Sequence, residues 1–308
     1  DTPSLGQYAT GFSPKLKDFI LNKPLSPFLA LAAASLGLVS GCFPQAAPDK
    51  LVTATSLEEA ARLGAGVECL DLSTAPRLAA FPEGIAAHAA LRKLSLRGQP
   101  AAAALPAAIG SLAALESLDL AETGLKSLPD AFAALSGLRH LYLSDNGITN
   151  FPAPLGALKD LTYLNLDRNA LAALSPDIGG LAGLKWLRLN HNRLADLPPE
   201  AAQLKNVKRL YLRGNALEKL PEAVLGMTAL EELDLGANRI AELPEAIVDM
   251  PNLHRIDLDG NPLVKLPEGI GRMKKLRWLV VNNCQLPVEE QQRVRQLFPD
   301  KVKVHIAF

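Results

Sequence analysis

Between Leu138 and Pro267 apolar positions recur in a fixed frame. The pattern Leu138-x-x-Leu141-x-Leu143-x-x-Asn146 returns from Leu161, Leu184, Val207, Leu230 and Leu253, each copy starting 23 residues after the one before. Extended in both directions, the frame also starts at Val67, Leu91, Leu115 and Leu276, so there are about ten repeats of 23–24 residues. A period in this range marks a solenoid: one short unit cannot bury its own apolar face, and stacking supplies the core. Within each unit the Leu-x-Leu pair, as at Leu141 and Leu143, predicts a short strand with alternate residues pointing in and out. Strands of successive units are expected to form one parallel sheet along a face of the coil.

Two further columns have their own physics. Where the chain turns out of each strand, buried backbone groups would lack partners, at about 1–3 kcal/mol each. A stacked Asn side chain offers them both a donor and an acceptor, and Asn146, Asn169, Asn192, Asn215, Asn238 and Asn261 form that ladder. Earlier units carry Ala75, Gln99 and Thr123 there, which predicts a looser N-terminal end, and Cys284 takes the place in the last unit. The second column is Leu-Pro, as at Leu105-Pro106, Leu128-Pro129, Leu197-Pro198, Leu220-Pro221, Leu243-Pro244 and Leu266-Pro267. Proline fixes φ and withholds a donor, so this column opens a non-sheet, convex segment of short turns or helix. In Leu174-Ser175-Pro176 the proline is shifted by one residue.

The ends break the period. Residues 53–66 predict a cap helix: Thr55 or Ser56 can cap it, Glu58 or Glu59 can reciprocate, and Gly64 suits a left-handed stop. After the repeats of residues 67–286, residues 287–308 predict a second cap. Pro287 opens a helix with Glu289 and Glu290 early and Arg293 and Arg295 late, and a last strand alternates through Val302, Val304 and Ile306.

The first 52 residues read differently. Lys15, Lys17 and Lys23 precede an apolar run from Leu25 to Gly41, the basic-then-apolar order of a secretory leader over residues 1–41. Val39-Ser40-Gly41-Cys42 resembles the lipobox of bacterial lipoproteins, and that resemblance implies lipidation of Cys42, with residues 42–52 as a tether. The expected location is the bacterial envelope, lipid-anchored; a cytoplasmic or secreted protein is the alternative.

The repeat itself resembles the leucine-rich-repeat family, in its Leu-Pro-x-x-Ile form, across Val67 to about Leu286. This implies an α/β solenoid, a horseshoe with a parallel concave sheet and helical caps, that binds a protein or peptide on the concave face and has no enzymatic activity. A monomer is expected. Composition narrows the partners: 32 basic residues against 32 acidic ones leave no global field to recruit nucleic acid. Cys69 and Cys284 stand nine strands apart, roughly 43 Å at strand spacing, too far for a disulfide. No phosphate loop, metal-ligand spacing or positioned base appears, and no cofactor is expected.

Candidate contacts come from the outward strand positions: His140, Tyr142, Tyr163, Trp186, Arg188, Arg209, Tyr211, Arg213 and Trp278. The chain has 2 Trp and 4 Tyr, and all but Tyr8 fall at these positions. Core demand cannot explain that, because the alternating inward positions are leucine. Tyr, Trp and Arg are the residues enriched in binding hot spots. Tyr142, Tyr163, Trp186 and Tyr211 are expected on four successive strands with Arg188, Arg209 and Arg213 as a basic flank, and the surface is expected to turn acidic at Asp234, Asp257 and Asp259. Stacked Trp and Tyr faces also suit carbohydrate.

Overall fold

A computed structural model describes residues 51–298 and 305–307. The apolar run before Gly41, and Cys42 itself, lie outside the described residues.

The paired leucines do what their spacing demands. Twelve strands form one parallel sheet in chain order. They are β1 (Thr53–Ala54), β2 (Cys69–Asp71), β3 (Lys93–Ser95), β4 (Ser117–Asp119), β5 (His140–Tyr142) and β6 (Tyr163–Asn165), followed by β7 (Trp186–Arg188), β8 (Arg209–Tyr211), β9 (Glu232–Asp234), β10 (Arg255–Asp257), β11 (Trp278–Val280) and β12 (His305–Ala307). Register is one unit per strand, so Leu141, Leu164, Leu187 and Leu210 lie side by side. Each is at most 1% exposed. Their neighbours in the strand are thereby committed to the opposite face.

The convex side is built from short 3-10 turns, most of them entered from a proline, such as Asp130–Ala134 after Pro129 and Glu245–Asp249 after Pro244. The Pro221 unit instead winds a single α turn, α2 (Glu222–Leu225). One apolar residue per turn plugs the core from this side: Ile109, Phe132, Leu155, Ile178, Val224, Ile247 and Ile270 are all buried. The shifted proline, Pro176, becomes the first residue of its own turn, with Ser175 Oγ accepting from the Asp177 amide. Backbones of successive turns meet closely here. A Cβ on Gly180 would stand 2.3 Å from the Gly156 carbonyl oxygen, so no larger residue fits without a shift.

The Asn ladder closes the inner turns. Asn192 Nδ2 donates to the Leu166 and Leu189 carbonyls at 3.0 and 3.1 Å, while its Oδ1 accepts from the Leu171 amide at 3.1 Å. Asn146, Asn169, Asn215, Asn238 and Asn261 each repeat this set one unit along. The expected loosening at the N-terminal end is corrected at Gln99. That buried side chain donates to the Leu72 carbonyl at 2.7 Å and accepts from the Leu78 amide at 3.0 Å, its extra methylene reaching the same groups. Thr123 Oγ reaches only the Leu120 carbonyl of its own turn and Asn146. Cys284 donates its thiol to the Leu258 carbonyl at 3.3 Å, the bond that an Asn makes to the unit before it. Asn192→Ala leaves the Leu171 amide without its acceptor, whereas the Leu166 and Leu189 carbonyls keep Asn169 and Asn215 as donors. At about 1–3 kcal/mol for one unmatched buried group, we expect a loss of that size in urea unfolding.

At the start of the solenoid, the helix expected over residues 53–66 is shorter than its segment. Residues 53–54 are strand, because Ala54 is fully buried against the first unit and Thr53 pairs with Cys69. Helix α1 (Leu57–Leu63) then follows, with Ser56 Oγ accepting from the Glu59 amide, and Glu59 reciprocates to the Thr55 amide at 2.8 Å. Gly64 stops it at φ 68°. His88 Nδ1 lies 3.0 Å from the Gly64 carbonyl and ties the next unit to this corner. At the far end, α3 (Val288–Leu297) buries Val294, and Glu290 accepts from the Leu266 amide at 2.8 Å. Among the described residues no helix is long and apolar enough to cross a membrane.

Candidate binding face

Strand register arranges the outward side chains in two columns. The first residues of β5 to β8 are His140, Tyr163, Trp186 and Arg209; the third residues are Tyr142, Asn165, Arg188 and Tyr211. Strands stand about 4.8 Å apart, so rings on neighbouring strands can touch. They do. The Tyr142 and Tyr163 centroids are 4.9 Å apart at 39°, and those of Tyr163 and Trp186 are 5.9 Å apart at 59°. The Arg209 guanidinium sits 4.4 Å from the Trp186 centroid, completing a row from Tyr142 to Arg209. Tilted ring pairs and a cation over indole are each favourable beyond simple burial. The row is half-buried, which leaves a ring face or edge to solvent along three strands.

The basic flank expected beside this row is corrected. Arg188 is only 9% exposed, and its Nη2 lies 2.6 Å from Asp167, a carboxylate that also accepts from the Asn190 amide at 2.7 Å. Arg188 stacks on Tyr211 at 5.1 Å. Tyr211 is equally buried, with its hydroxyl 3.4 Å from Glu232. Arg209 pairs with Glu232 at 3.1 Å. Arg213 falls past the end of β8, on the turn, where Asp234, Asp257 and Asp259 surround it. All three arginines are thus neutralised within the sheet face. Trp278, on β11, is 40% exposed and lies three strands beyond Arg209, apart from the row.

Sequence reasoning placed Asp167 only at the edge of the patch and missed both its pairing with Arg188 and the role of Glu232, although a signal was available. Asp167 precedes Arg188 by 21 residues and Asp234 follows Arg213 by 21, two short of a full unit, a spacing that brings opposite charges together across adjacent turns.

Protonation follows burial. Tyr163 is pushed up to about 12 and Tyr211 is also raised, in each case by burial first, so both phenols stay neutral near pH 7. His140 is lowered by burial, then by Arg139, which favours neutral imidazole. Burial, followed by the like charge of Asp257, raises Asp234 to about 6 despite Arg213, whose guanidinium is shared among three carboxylates. A carboxyl raised on folding is most favourable below its unfolded value near 3.8 and loses that advantage as pH rises through about 6. Asp234→Asn is therefore expected to stabilise the protein at pH 7, by up to about 3 kcal/mol from the size of the shift. That gain should vanish on acidification to about pH 4, and melting curves of both proteins across this range check it.

Both thiols are raised by burial, Cys69 on the sheet face and Cys284 in the ladder, which is opposite to an activated nucleophile. Among the described residues no cluster of three His, Cys, Asp or Glu could hold a metal ion.

Comparison with known proteins agrees with this architecture. The family description "Leucine rich repeat" matches residues 89–148 and 182–240, and "Leucine Rich repeats (2 copies)" matches residues 136–177. The chain belongs to the leucine-rich-repeat family. Among solved structures it is similar to a leucine-rich-repeat protein of Leptospira interrogans, with 27% identity and a TM-score of 0.62, over 79% of this chain and 72% of that one. An internalin of Listeria monocytogenes shares the fold at 20% identity and a TM-score of 0.62, over 72% of this chain and 63% of its own. The plant peptide hormone receptor RGFR1, solved in complex with RGF2, shares it at 23% identity and a TM-score of 0.54, over 78% of this chain and only 43% of its own. No curated protein matches the sequence.

Proposed function

We propose that the chain is a non-enzymatic protein- or peptide-binding module whose ligand lies across β5 to β8, over Tyr142, Tyr163, Trp186 and Arg209. One observation carries this reading: a contiguous, solvent-edged row of two tyrosines, a tryptophan and an arginine on a concave sheet that needs none of them for its core. The buried pair Arg188–Asp167 and the half-buried pair Arg209–Glu232 hold this face rigid, so little conformational entropy is lost on binding. A plant neighbour of this fold, RGFR1, was solved with a bound partner, RGF2, which is compatible with the same use here. The test is a random-sequence peptide library panned against the full chain, beside a glycan array. Enriched peptides sharing a motif support the reading; glycan binding without peptide enrichment turns the same face into a sugar site.

The same proposal puts the module on a bacterial membrane through a lipid on Cys42. It rests on the basic, apolar and small-residue order before that cysteine. Lipid incorporation and membrane fractionation of wild type against Cys42→Ala decide it: an unlipidated wild type would end this part of the reading.

A further inference from the structure

Along the edge where the chain runs into β5 to β8, Arg139, Lys159, Asp160, Thr162, Lys185 and Asn206 line an open cleft of about 420 Å³. Its charge balance differs from that of the surface around it. On the same edge Arg92 is tied to Glu116 at 3.0 Å and Lys208 to Glu231 at 2.8 Å. On the concave face Arg97, Arg168, Arg188, Arg209 and Arg213 all have carboxylate partners. Arg139, Lys159 and Lys185 form no ion pair among the described residues, and Glu116, one unit before Arg139, is committed to Arg92 instead. Three cations therefore face one carboxylate, Asp160, in a single cleft. Thr162 Oγ donates to the Arg139 carbonyl at 3.0 Å and Asn206 Nδ2 to the Ala182 carbonyl at 2.8 Å, which fixes the backbone of its walls.

The place of the cleft matters as much as its charge. Arg139, Thr162 and Lys185 immediately precede His140, Tyr163 and Trp186, so the cleft borders the aromatic row along its length. We propose that it is a subsite for a phosphomonoester borne on a side chain of the peptide that crosses the row. This rests on the concave-face reading above. A phosphomonoester carries about −1.5 to −2 charge near pH 7 and three acceptor oxygens, which match an excess of two cations with several donors. An arginine can grip two of those oxygens at once. A single carboxylate would neutralise only half of that excess.

The test uses the full chain and O-phosphoserine as probe, with serine as control, followed by NMR shifts or calorimetry at low salt. Wild type should bind O-phosphoserine and not serine. Lys159→Gln with Lys185→Gln should weaken binding by about tenfold or more, the scale of losing charge-assisted contacts, with an unchanged melting curve because both lysines are exposed. A phosphorylated form of a peptide selected on the concave face should then bind more tightly than its unphosphorylated form, and the lysine variant should erase that difference. Absence of O-phosphoserine binding, or equal binding by the lysine variant, overturns the subsite even if unphosphorylated peptides bind the row. O-phosphoserine binding that the lysine variant abolishes supports the subsite even if no peptide is selected, and the concave-face reading alone then fails. Stronger binding of a single-stranded RNA than of the phosphopeptide, lost in the same variant, would reassign the cleft to nucleic acid.

Discussion

Arg188→Ala is expected to destabilise the protein by about 3–5 kcal/mol, the usual cost of removing one partner of a buried ion pair. The reason is what it leaves behind. The Asp167 side chain is only 2% exposed, and without Arg188 its charge keeps the Asn190 amide and side chain as its hydrogen-bond donors. Replacing both residues by leucine should recover most of the loss, since a well-packed apolar pair is often as stable as the ion pair it replaces. Urea unfolding of wild type and the two variants checks this; a loss under about 1 kcal/mol for Arg188→Ala would contradict the strut role. It also follows that weakened binding in that variant would reflect a damaged sheet face and not a lost contact.

The second large effect concerns binding. Trp186→Ala with Tyr163→Ala should weaken a peptide selected on the wild-type face by at least about 30-fold, a hot-spot loss of about 2 kcal/mol or more. Both rings are only half-buried and lie outside the leucine core, so the melting temperature should fall far less than for Arg188→Ala. Trp278→Ala, three strands beyond Arg209, is the matched control and should leave affinity unchanged. Titrating the peptide against all three proteins separates the outcomes.

Much of this was legible in the sequence because a solenoid turns sequence period directly into space. A spacing of 23 residues puts Tyr163 and Trp186 in adjacent strands, and the Leu-x-Leu alternation points them outward. The Asn ladder could be read for the same reason. Side-chain reach is where the reading stopped. Gln99 looked like a defect in the ladder, yet one more methylene brings its amide to the same backbone groups. Arg188 and Tyr211 looked exposed because their columns point outward. Their depth is set by partners whose offset of 21 residues crosses the turn, Asp167 for the one and Glu232 for the other. Strand β1 was hidden for another reason: two residues carry no periodicity, and only Ala54 sealing the end of the core reveals them.

The chain carries only 2 Trp residues, and both face the concave side, which makes fluorescence a direct probe of the central claim. In a Trp278→Phe variant Trp186 is the one indole left. Adding a selected peptide should shift its emission to shorter wavelength as the ring loses water, with a midpoint at the peptide's dissociation constant. In the Trp186→Phe counterpart the emission of Trp278 should stay put. A shift confined to Trp278, or binding that moves neither indole, would contradict the assignment of the ligand to β5 to β8.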